Sequence, residues 1–248
     1  MSRRPLLAGN WKMYKTPGET RAFFDAFRPL VSSRQDRDIV ICPPFVNLAA
    51  AAEAVSGTNI EIGGQNLFWE TKDGAYTGEI SGRMLKEAGC KWVIIGHSER
   101  RQYFHETDET VFKRIGAALA SGLKPIVCVG ELLQEREAGE TNRVLERQFT
   151  HGIAGLTAEQ FAQIVIAYEP VWAIGTGKTA TPEIAAEAHR YIRGLARAKY
   201  GAGDVRILYG GSVKPDNIKS LMAQDEIDGA LVGGASLDAA SFASIVNY

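Results

Sequence analysis

Short apolar runs recur along the whole chain, and each ends in Gly, Pro, Asn or a charged residue. Most of the runs are continuously apolar instead of alternating with polar positions, which is typical of strands buried on both faces of a parallel sheet. The pattern predicts eight strands, over Leu6–Gly9, Asp38–Cys42, Ile60–Gly63, Trp92–Gly96, Pro125–Gly130, Ile164–Tyr168, Val205–Tyr209 and Gly229–Val232.

Segments with helical periodicity separate these strands. Pro17–Leu30 places three phenylalanines on one stripe and opens with residues that suit a helix N-terminus. Thr181 followed by Pro182 predicts a capped helix that runs to about Tyr200. The remaining helices are predicted over Phe45–Val55, over Asp108–Ala120, from Asp216 or Asn217 through Met222, and over Ser236–Val246.

Strand and helix alternate throughout, and no linker or shift in composition divides the chain. We therefore expect one α/β domain that spans residues 1–248. Eight parallel β/α units in this length match a closed (β/α)8 TIM barrel with an outer ring of helices. An open, doubly wound sheet is the alternative architecture, and the lack of a candidate antiparallel edge strand favours closure.

Composition narrows the classes of function. The 28 Lys and Arg residues nearly balance the 29 Asp and Glu residues, which argues against a nucleic-acid or membrane surface held by bulk electrostatics. The three cysteines, Cys42, Cys90 and Cys128, are widely spaced in apolar sequence and are expected to be reduced core residues. The sequence shows no apolar leader and no stretch of transmembrane length, so we expect a soluble cytoplasmic protein.

Chemically active residues follow the predicted strands at the end where barrel enzymes carry their active sites. Asn10 and Lys12 follow the first strand, His97 and Glu99 follow the fourth, and Glu169 follows the sixth. Each has an ordinary structural explanation alone, such as a solvated cation, a structural hydrogen bond or an ion pair. Their coincidence at one end of the barrel predicts a catalytic site, in which Lys12 is the only obvious cation at a strand end.

Glycine pairs follow the seventh and eighth strands, at Gly210-Gly211 and Gly233-Gly234. They allow backbone N–H groups to approach an anion, and barrels often bind phosphate there. Ser212 adds a hydroxyl, and Gly175 adds another N–H. A carboxylate, an imidazole and an ammonium opposite this anion site suit proton abstraction next to a carbonyl, with the charge of the enediolate stabilised as it forms.

The stretch Ile164–Ala180 places Glu169 directly behind an apolar strand, where the pKa of a carboxyl group can be tuned. The loop that follows mixes large apolar residues with two glycines, so it can both cover a site and move. We interpret it as a lid over a catalytic base. The predicted lid consists of Pro170, Val171, Trp172, Ala173, Ile174, Gly175, Thr176, Gly177 and Lys178.

Other known motifs do not fit this stretch or the rest of the chain. A P-loop would place its first glycine at position 172, which is Trp172, and the G-x-G-x-x-A pattern of Gly175–Ala180 lies too far behind its strand for a dinucleotide fingerprint. No metal-binding motif is present, so the sequence gives no support for a metal. A Schiff-base aldolase needs a desolvated lysine, and the interiors of the predicted strands contain none.

The chain resembles the triosephosphate isomerase family over nearly its whole length. The resemblance rests on AGNWKM (8–13), QN (65–66), GAYTGEIS (74–81), IIGHSERR (94–101), AYEPVWAIGTGKTA (167–180), YGGSVKPDN (209–217) and GALVGGASL (229–237). One departure from the family pattern is Leu132, where the family commonly has threonine at the start of a helix.

The resemblance implies an isomerase without a cofactor or a metal, which interconverts dihydroxyacetone phosphate and D-glyceraldehyde 3-phosphate in glycolysis and gluconeogenesis. It implies that Glu169 moves the proton between the two carbons and that His97, as a neutral imidazole, polarises the carbonyl and relays protons between the oxygens. Lys12 then balances the negative charge, Asn10 orients the substrate oxygens, and Glu99 pairs with Lys12. A barrel lyase, another sugar-phosphate isomerase and a non-catalytic anion-binding protein are the rival hypotheses, and this set of residues counts against them.

The resemblance also implies a phosphate site and a partner. Gly175, Ser212, Gly233 and Gly234 are expected to hold the phosphate, while the lid excludes water that promotes loss of phosphate from the intermediate. The loop 65–79 resembles the interlocking arm of a homodimer, with Thr77 near its tip. We expect no nucleic-acid or membrane partner.

Overall fold

In the computed structural model, which describes residues 3–174, 180–201 and 203–248, the strands form a closed parallel barrel. Each strand pairs with its neighbours in chain order, and β1 pairs with β8. The strands are β1 (Leu6–Asn10), β2 (Asp38–Cys42), β3 (Ile60–Gly64), β4 (Trp92–Ile95), β5 (Lys124–Val129), β6 (Val165–Tyr168), β7 (Ile207–Tyr209) and β8 (Gly229–Val232). The predicted barrel and its eight strands are confirmed, and the open sheet is excluded.

Helices surround the barrel. In the described ranges they are α1 (Pro17–Val31), α2 (Leu48–Val55), α3 (Gly82–Glu87), α4 (Ser98–Phe104), α5 (Asp108–Ala120), α6 (Leu133–Glu137), α7 (Thr141–Gly152), α8 (Ala158–Phe161), α9 (Pro182–Tyr200), α10 (Ile218–Met222) and α11 (Ala239–Val246). A membrane-crossing helix is absent from these ranges, since none of the helices combines sufficient length with sufficient apolar character.

Two predicted helices begin later than the sequence pattern indicates. The segment Phe45–Val55 starts as a 3₁₀ turn over Phe45–Asn47 before α2 begins. The segment predicted from Ser236 begins α11 only at Ala239, because the Asp238 carboxylate accepts the N–H of Ser241 at 2.8 Å and caps the helix there.

Alternate residues of the strands face two separate cores. Leu6, Ala8 and Val40 lie with other small and aliphatic side chains inside the barrel, whereas Leu7 and Ile39 pack outward against the helices. This alternation follows from the two-residue period of a strand and explains why the runs are apolar at every position.

Aromatic packing fixes the loop that follows β1. The indole of Trp11 lies 4.8 Å from the ring of Phe23 and donates its N–H to the Ser236 carbonyl at 3.0 Å. Phe27 stacks on Phe242 of α11 at 5.3 Å, so the first and last helices pack together. The predicted stripe of α1 is therefore buried, and it holds the β1 loop at the carboxyl end of the barrel.

Candidate active site

A cavity of about 280 Å³ opens at the carboxyl ends of the strands. It brings together residues from the end of β1 and from the segments that follow β1, β4, β6, β7 and β8. The predicted site residues that line it are Asn10, Lys12, His97, Glu169, Ile174 of the lid, Ser212, Gly233 and Gly234. Gly175, Thr176, Gly177 and Lys178 lie outside the described residues.

Glu169 lies at the floor of this cavity, and its side chain is only 3% exposed. One carboxylate oxygen accepts the N–H of Ser98 at 2.9 Å, and the other lies 2.9 Å from Nε2 of His97. Burial raises the pKa of Glu169, but His97, the Ser98 N–H and Lys12 lower it, and the net direction is downward. The carboxyl group is therefore held as a carboxylate, the form that accepts a proton.

Two glycines leave room for Glu169. A Cβ at Gly130 would lie 1.7 Å from the Glu169 carbonyl oxygen, and one at Gly210 would lie 2.8 Å from its Cγ. Larger residues at these positions would displace the backbone or the side chain of Glu169. Gly130, directly after β5, thus leaves room for the backbone of Glu169. The sequence alone does not indicate this role.

His97 caps the N-terminus of α4. Its Nδ1 accepts the N–H of Glu99 at 3.2 Å, so the neutral ring carries its proton on Nε2 and donates it to Glu169. Burial lowers the pKa of His97, but the Glu169 and Glu99 carboxylates raise it, and the net direction is upward while His97 and Glu169 remain paired. An Nδ1 that accepts an N–H carries no proton, so this geometry is compatible with the neutral imidazole that the resemblance implies, and the upward direction of the pKa depends on the pairing with Glu169.

Lys12 occupies the left-handed backbone region, with φ of 51°. The Asn10 side chain accepts its N–H at 3.0 Å, and the Gln65 amide donates to its carbonyl at 2.8 Å. Its Nζ lies 2.5 Å from the Glu99 carboxylate, which is the predicted ion pair. The left-handed backbone of Lys12, held by these hydrogen bonds, thus places the ammonium group at the cavity.

The opposite wall contains Ser212 and the Gly233-Gly234 pair. Lys214 also lines it, which corrects the expectation that Lys12 is the only cation at a strand end. Asn217 supports this loop by donating to the Ser212 carbonyl at 3.0 Å and accepting the Lys214 N–H at 2.8 Å. Lys214 belongs to the YGGSVKPDN motif (209–217), which begins at the last residue of β7. Its place in the sequence could therefore have identified it as a second cation near a strand end.

The described part of the predicted lid is anchored to Glu131, which the sequence interpretation overlooked. The Trp172 indole N–H and the Tyr168 hydroxyl both donate to Oε1 of Glu131, at 2.9 and 3.1 Å, and its carbonyl accepts the Val171 N–H at 3.1 Å. Burial raises the pKa of the Glu131 carboxyl group. A carboxylate directly after the fifth strand was the signal available in the sequence.

Comparisons with known proteins agree with this geometry. The family model for triosephosphate isomerase matches residues 5–248. The chain is 69% identical to a triosephosphate isomerase from Solibacter usitatus, over 99% of this chain and 100% of that protein, and 59% identical to one from Moorella thermoacetica, over 99% of each. A crystal structure of triosephosphate isomerase from Bartonella henselae superposes with a TM-score of 0.89 at 42% identity, covering 98% of both chains. The chain belongs to the triosephosphate isomerase family.

Proposed function

We propose that Glu169 is the base through which this chain interconverts dihydroxyacetone phosphate and D-glyceraldehyde 3-phosphate, the reaction of its family. The supporting observation is the meeting of a buried carboxylate and an imidazole at 2.9 Å on the floor of a cavity that also holds Lys12. The carboxylate takes a proton from the carbon next to the substrate carbonyl, which yields an enediolate, and returns it to the neighbouring carbon. No cofactor is needed, because the proton is the only group transferred.

His97 acts on the oxygens of the substrate in this proposal. When Glu169 turns from the imidazole to the substrate, the largest cause that raises the pKa of His97 is removed, while burial and Lys12 still lower it. The neutral form of the ring is then favoured, with its proton on Nε2, because Nδ1 accepts the Glu99 N–H. A neutral donor at this position polarises the carbonyl and stabilises the enediolate. It gives its Nε2 proton to the former carbonyl oxygen and takes the proton of the neighbouring hydroxyl, which completes the exchange of carbonyl and hydroxyl.

The remaining roles follow from charge and position. Lys12 balances the negative charge of the enediolate, Glu99 orients its ammonium group, and Asn10 orients the substrate oxygens. Ser212, Gly233 and Gly234 hold the phosphate, together with the predicted contribution of Gly175. The segment from Pro170 to Lys178 closes over the substrate and excludes water.

We also propose a homodimer of single-domain chains, each spanning residues 1–248, in the cytoplasm. Large apolar side chains are exposed around a groove of about 530 Å³ beside Lys12, and such clustered exposure marks an interaction surface. They are Met13, Tyr14, Phe45, Tyr103 and Phe104. Thr77 lies in the exposed stretch of the loop 65–79, which is suited to enter the groove of a second copy. The buried free thiols agree with a reducing compartment.

The dimer is tested by analytical ultracentrifugation of the wild type and Thr77→Arg. We expect the mass of two chains for the wild type and dissociation for the variant. A wild type that sediments as one chain at all concentrations would contradict this part of the proposal.

The catalytic proposal is tested with a coupled isomerase assay on the wild type and Glu169→Gln. Loss of the base is expected to lower kcat by at least the ~10²–10⁴-fold that general-base catalysis supplies. Glu183→Gln, which changes an exposed carboxylate at the start of α9, is the matched control and should leave kcat unchanged. Near-normal turnover by folded Glu169→Gln would refute the role of Glu169.

A further inference from the structure

Arg101, in the middle of α4, reaches back to the peptide that precedes His97. Its Nε donates to the Gly96 carbonyl at 2.9 Å, and its Nη2 lies 3.4 Å from the Cys128 carbonyl of β5. Its Nη1 donates to the Asp108 carboxylate at 2.6 Å, at the start of α5. One guanidinium thus joins the end of β4, the end of β5 and the next helix.

These carbonyls need such a donor because the pairing between β4 and β5 stops just before them. Its last pair is Ile95 with Val127, while Cys128 remains paired with Ala167 of β6 on the other side of the strand. Gly96 then turns into the left-handed region with φ of 70°, so its carbonyl leaves the strand ladder. The Arg101 guanidinium replaces the missing ladder contact, and its planar fork reaches several acceptors at once.

The orientation of this peptide controls two contacts at the base. His97 follows Gly96, and the next two residues make these contacts: the N–H of Ser98 donates to Glu169, and the N–H of Glu99 donates to Nδ1 of His97. A rotation of the peptide between Gly96 and His97 changes the direction of both N–H groups and of the imidazole. A shift of about 1 Å at a reacting group can lower the rate by about 10²-fold.

We propose that Arg101 is a positioning residue, which fixes the Gly96–His97 peptide and thereby holds the imidazole of His97 in its productive orientation. The inference rests on the role proposed for His97. Arg101 does not line the substrate cavity; it lines a second cavity of about 360 Å³, which Ser98 and Glu169 also border. It therefore acts behind the catalytic groups, without touching the substrate.

The first test compares the kinetics of Arg101→Lys and Arg101→Met with those of the wild type. Both variants are expected to lower kcat by about 10- to 100-fold, because neither side chain can bond to both carbonyls, while KM stays close to the wild-type value. Arg147→Met is the matched control: Arg147 lies 3.7 Å from the same Asp108 carboxylate and is half exposed. That control should retain wild-type kcat.

Chemical rescue separates positioning from a general loss of structure. The second cavity gives small solutes access to the position of the guanidinium group, so guanidinium ion at low millimolar concentration should restore part of the kcat of Arg101→Ala. Methylammonium, which carries the charge but lacks the planar fork, should not. Circular dichroism checks that each variant is folded. If Arg101→Met or Arg101→Ala folds poorly, Arg101→Lys, which retains the positive charge, still tests the proposal.

The outcomes distinguish this inference from the proposed function. A wild type without isomerase activity would contradict the proposed function itself. An active wild type, with folded Arg101→Lys at wild-type kcat or with equal losses in Arg101→Lys and Arg147→Met, would overturn only the positioning role. A selective loss of kcat with rescue by guanidinium supports it.

Discussion

At the scale of single residues, the sequence identifies the chemical groups of the site but not the contacts that orient them. Lys12 is visible in the sequence, but its left-handed backbone costs about 1–3 kcal/mol. It depends on the Asn10 side chain, which accepts its N–H, and on the Gln65 amide, which donates to its carbonyl, and these two residues lie at different strand ends. The same limit applies to Arg101, whose partners lie on other elements. Residue type and strand-end position predicted which groups meet, whereas the contacts that orient them required the fold.

Lys12→Met should lower kcat and weaken substrate binding together, because it removes the cation beside the enediolate and leaves the Glu99 carboxylate unpaired. A loss of about 10²–10³-fold in kcat is expected, as for removal of a group that stabilises transition-state charge. Lys214→Met is the matched control on the opposite wall and should mainly raise KM. Steady-state kinetics check this prediction, and identical effects of the two substitutions would contradict it.

At the scale of elements, regular apolar patterns were sufficient for all eight strands and for helices such as α1 and α5, while the Thr181–Pro182 cap predicted α9. The 12-residue helix α7 was not predicted. The short helices α3, α4 and α8 were also missed, because each begins at a side-chain cap instead of a periodic stripe. The 3-residue shift at α11 has the same origin, because Asp238 caps the helix after a 3₁₀ turn. In α4, the cap is His97 itself, so the imidazole proposed to act on the substrate replaces the usual Ser or Thr.

The N-terminus of α6 lacks a side-chain cap, as the leucine at position 132 indicated in the sequence. Leu132 occupies the N-cap position, where its N–H bonds to the Glu135 carboxylate at 2.8 Å but its own side chain accepts nothing. Leu132→Thr supplies the missing acceptor and completes a capping box, so the free energy of unfolding should rise by about 0.5–2 kcal/mol.

Urea denaturation measures this gain. Leu133→Thr is the matched control, because position 133 lies inside the first turn, where a hydroxyl cannot cap the helix. A gain of equal size in both variants, or none in Leu132→Thr, would show that the cap is not the cause.

At the scale of the whole molecule, the count of eight alternating β/α units predicted the barrel, and the pairing of β1 with β8 closes it. Buried polar groups outside the site were not predicted. His189 of α9 is fully buried, with Nδ1 3.1 Å from the Glu226 carbonyl oxygen and its ring edge-on to Tyr168. A sequence shows a histidine in a helix but not that the fold removes it from water.

His189 makes the fold sensitive to acid. Burial lowers its pKa from 6.5 to about 3, with Arg193 adding to the effect. The folded state keeps the ring neutral while the unfolded chain takes up a proton, so this stability is present above pH 6.5 and is lost as the pH falls towards 3. The contribution of this group falls by roughly 1.4 kcal/mol per pH unit in that window.

Chemical denaturation between pH 7 and about pH 5 tests this prediction on the wild type and His189→Asn, which keeps a donor near the Glu226 carbonyl without a titrating ring. The variant should lose stability less steeply on acidification, even if it is less stable at neutral pH. Equal slopes would exclude His189 as the cause.

The central claim, that Glu169 carries the proton between the two carbons of the substrate, is tested most directly by solvent exchange. Dihydroxyacetone phosphate is incubated with enzyme in D₂O, and ¹H NMR follows deuterium at the exchanging carbons. The wild type should incorporate solvent deuterium during isomerisation, because a protonated carboxyl group exchanges with water, and folded Glu169→Gln should show neither exchange nor turnover above a low residual rate. Exchange at the wild-type rate in Glu169→Gln would contradict the account.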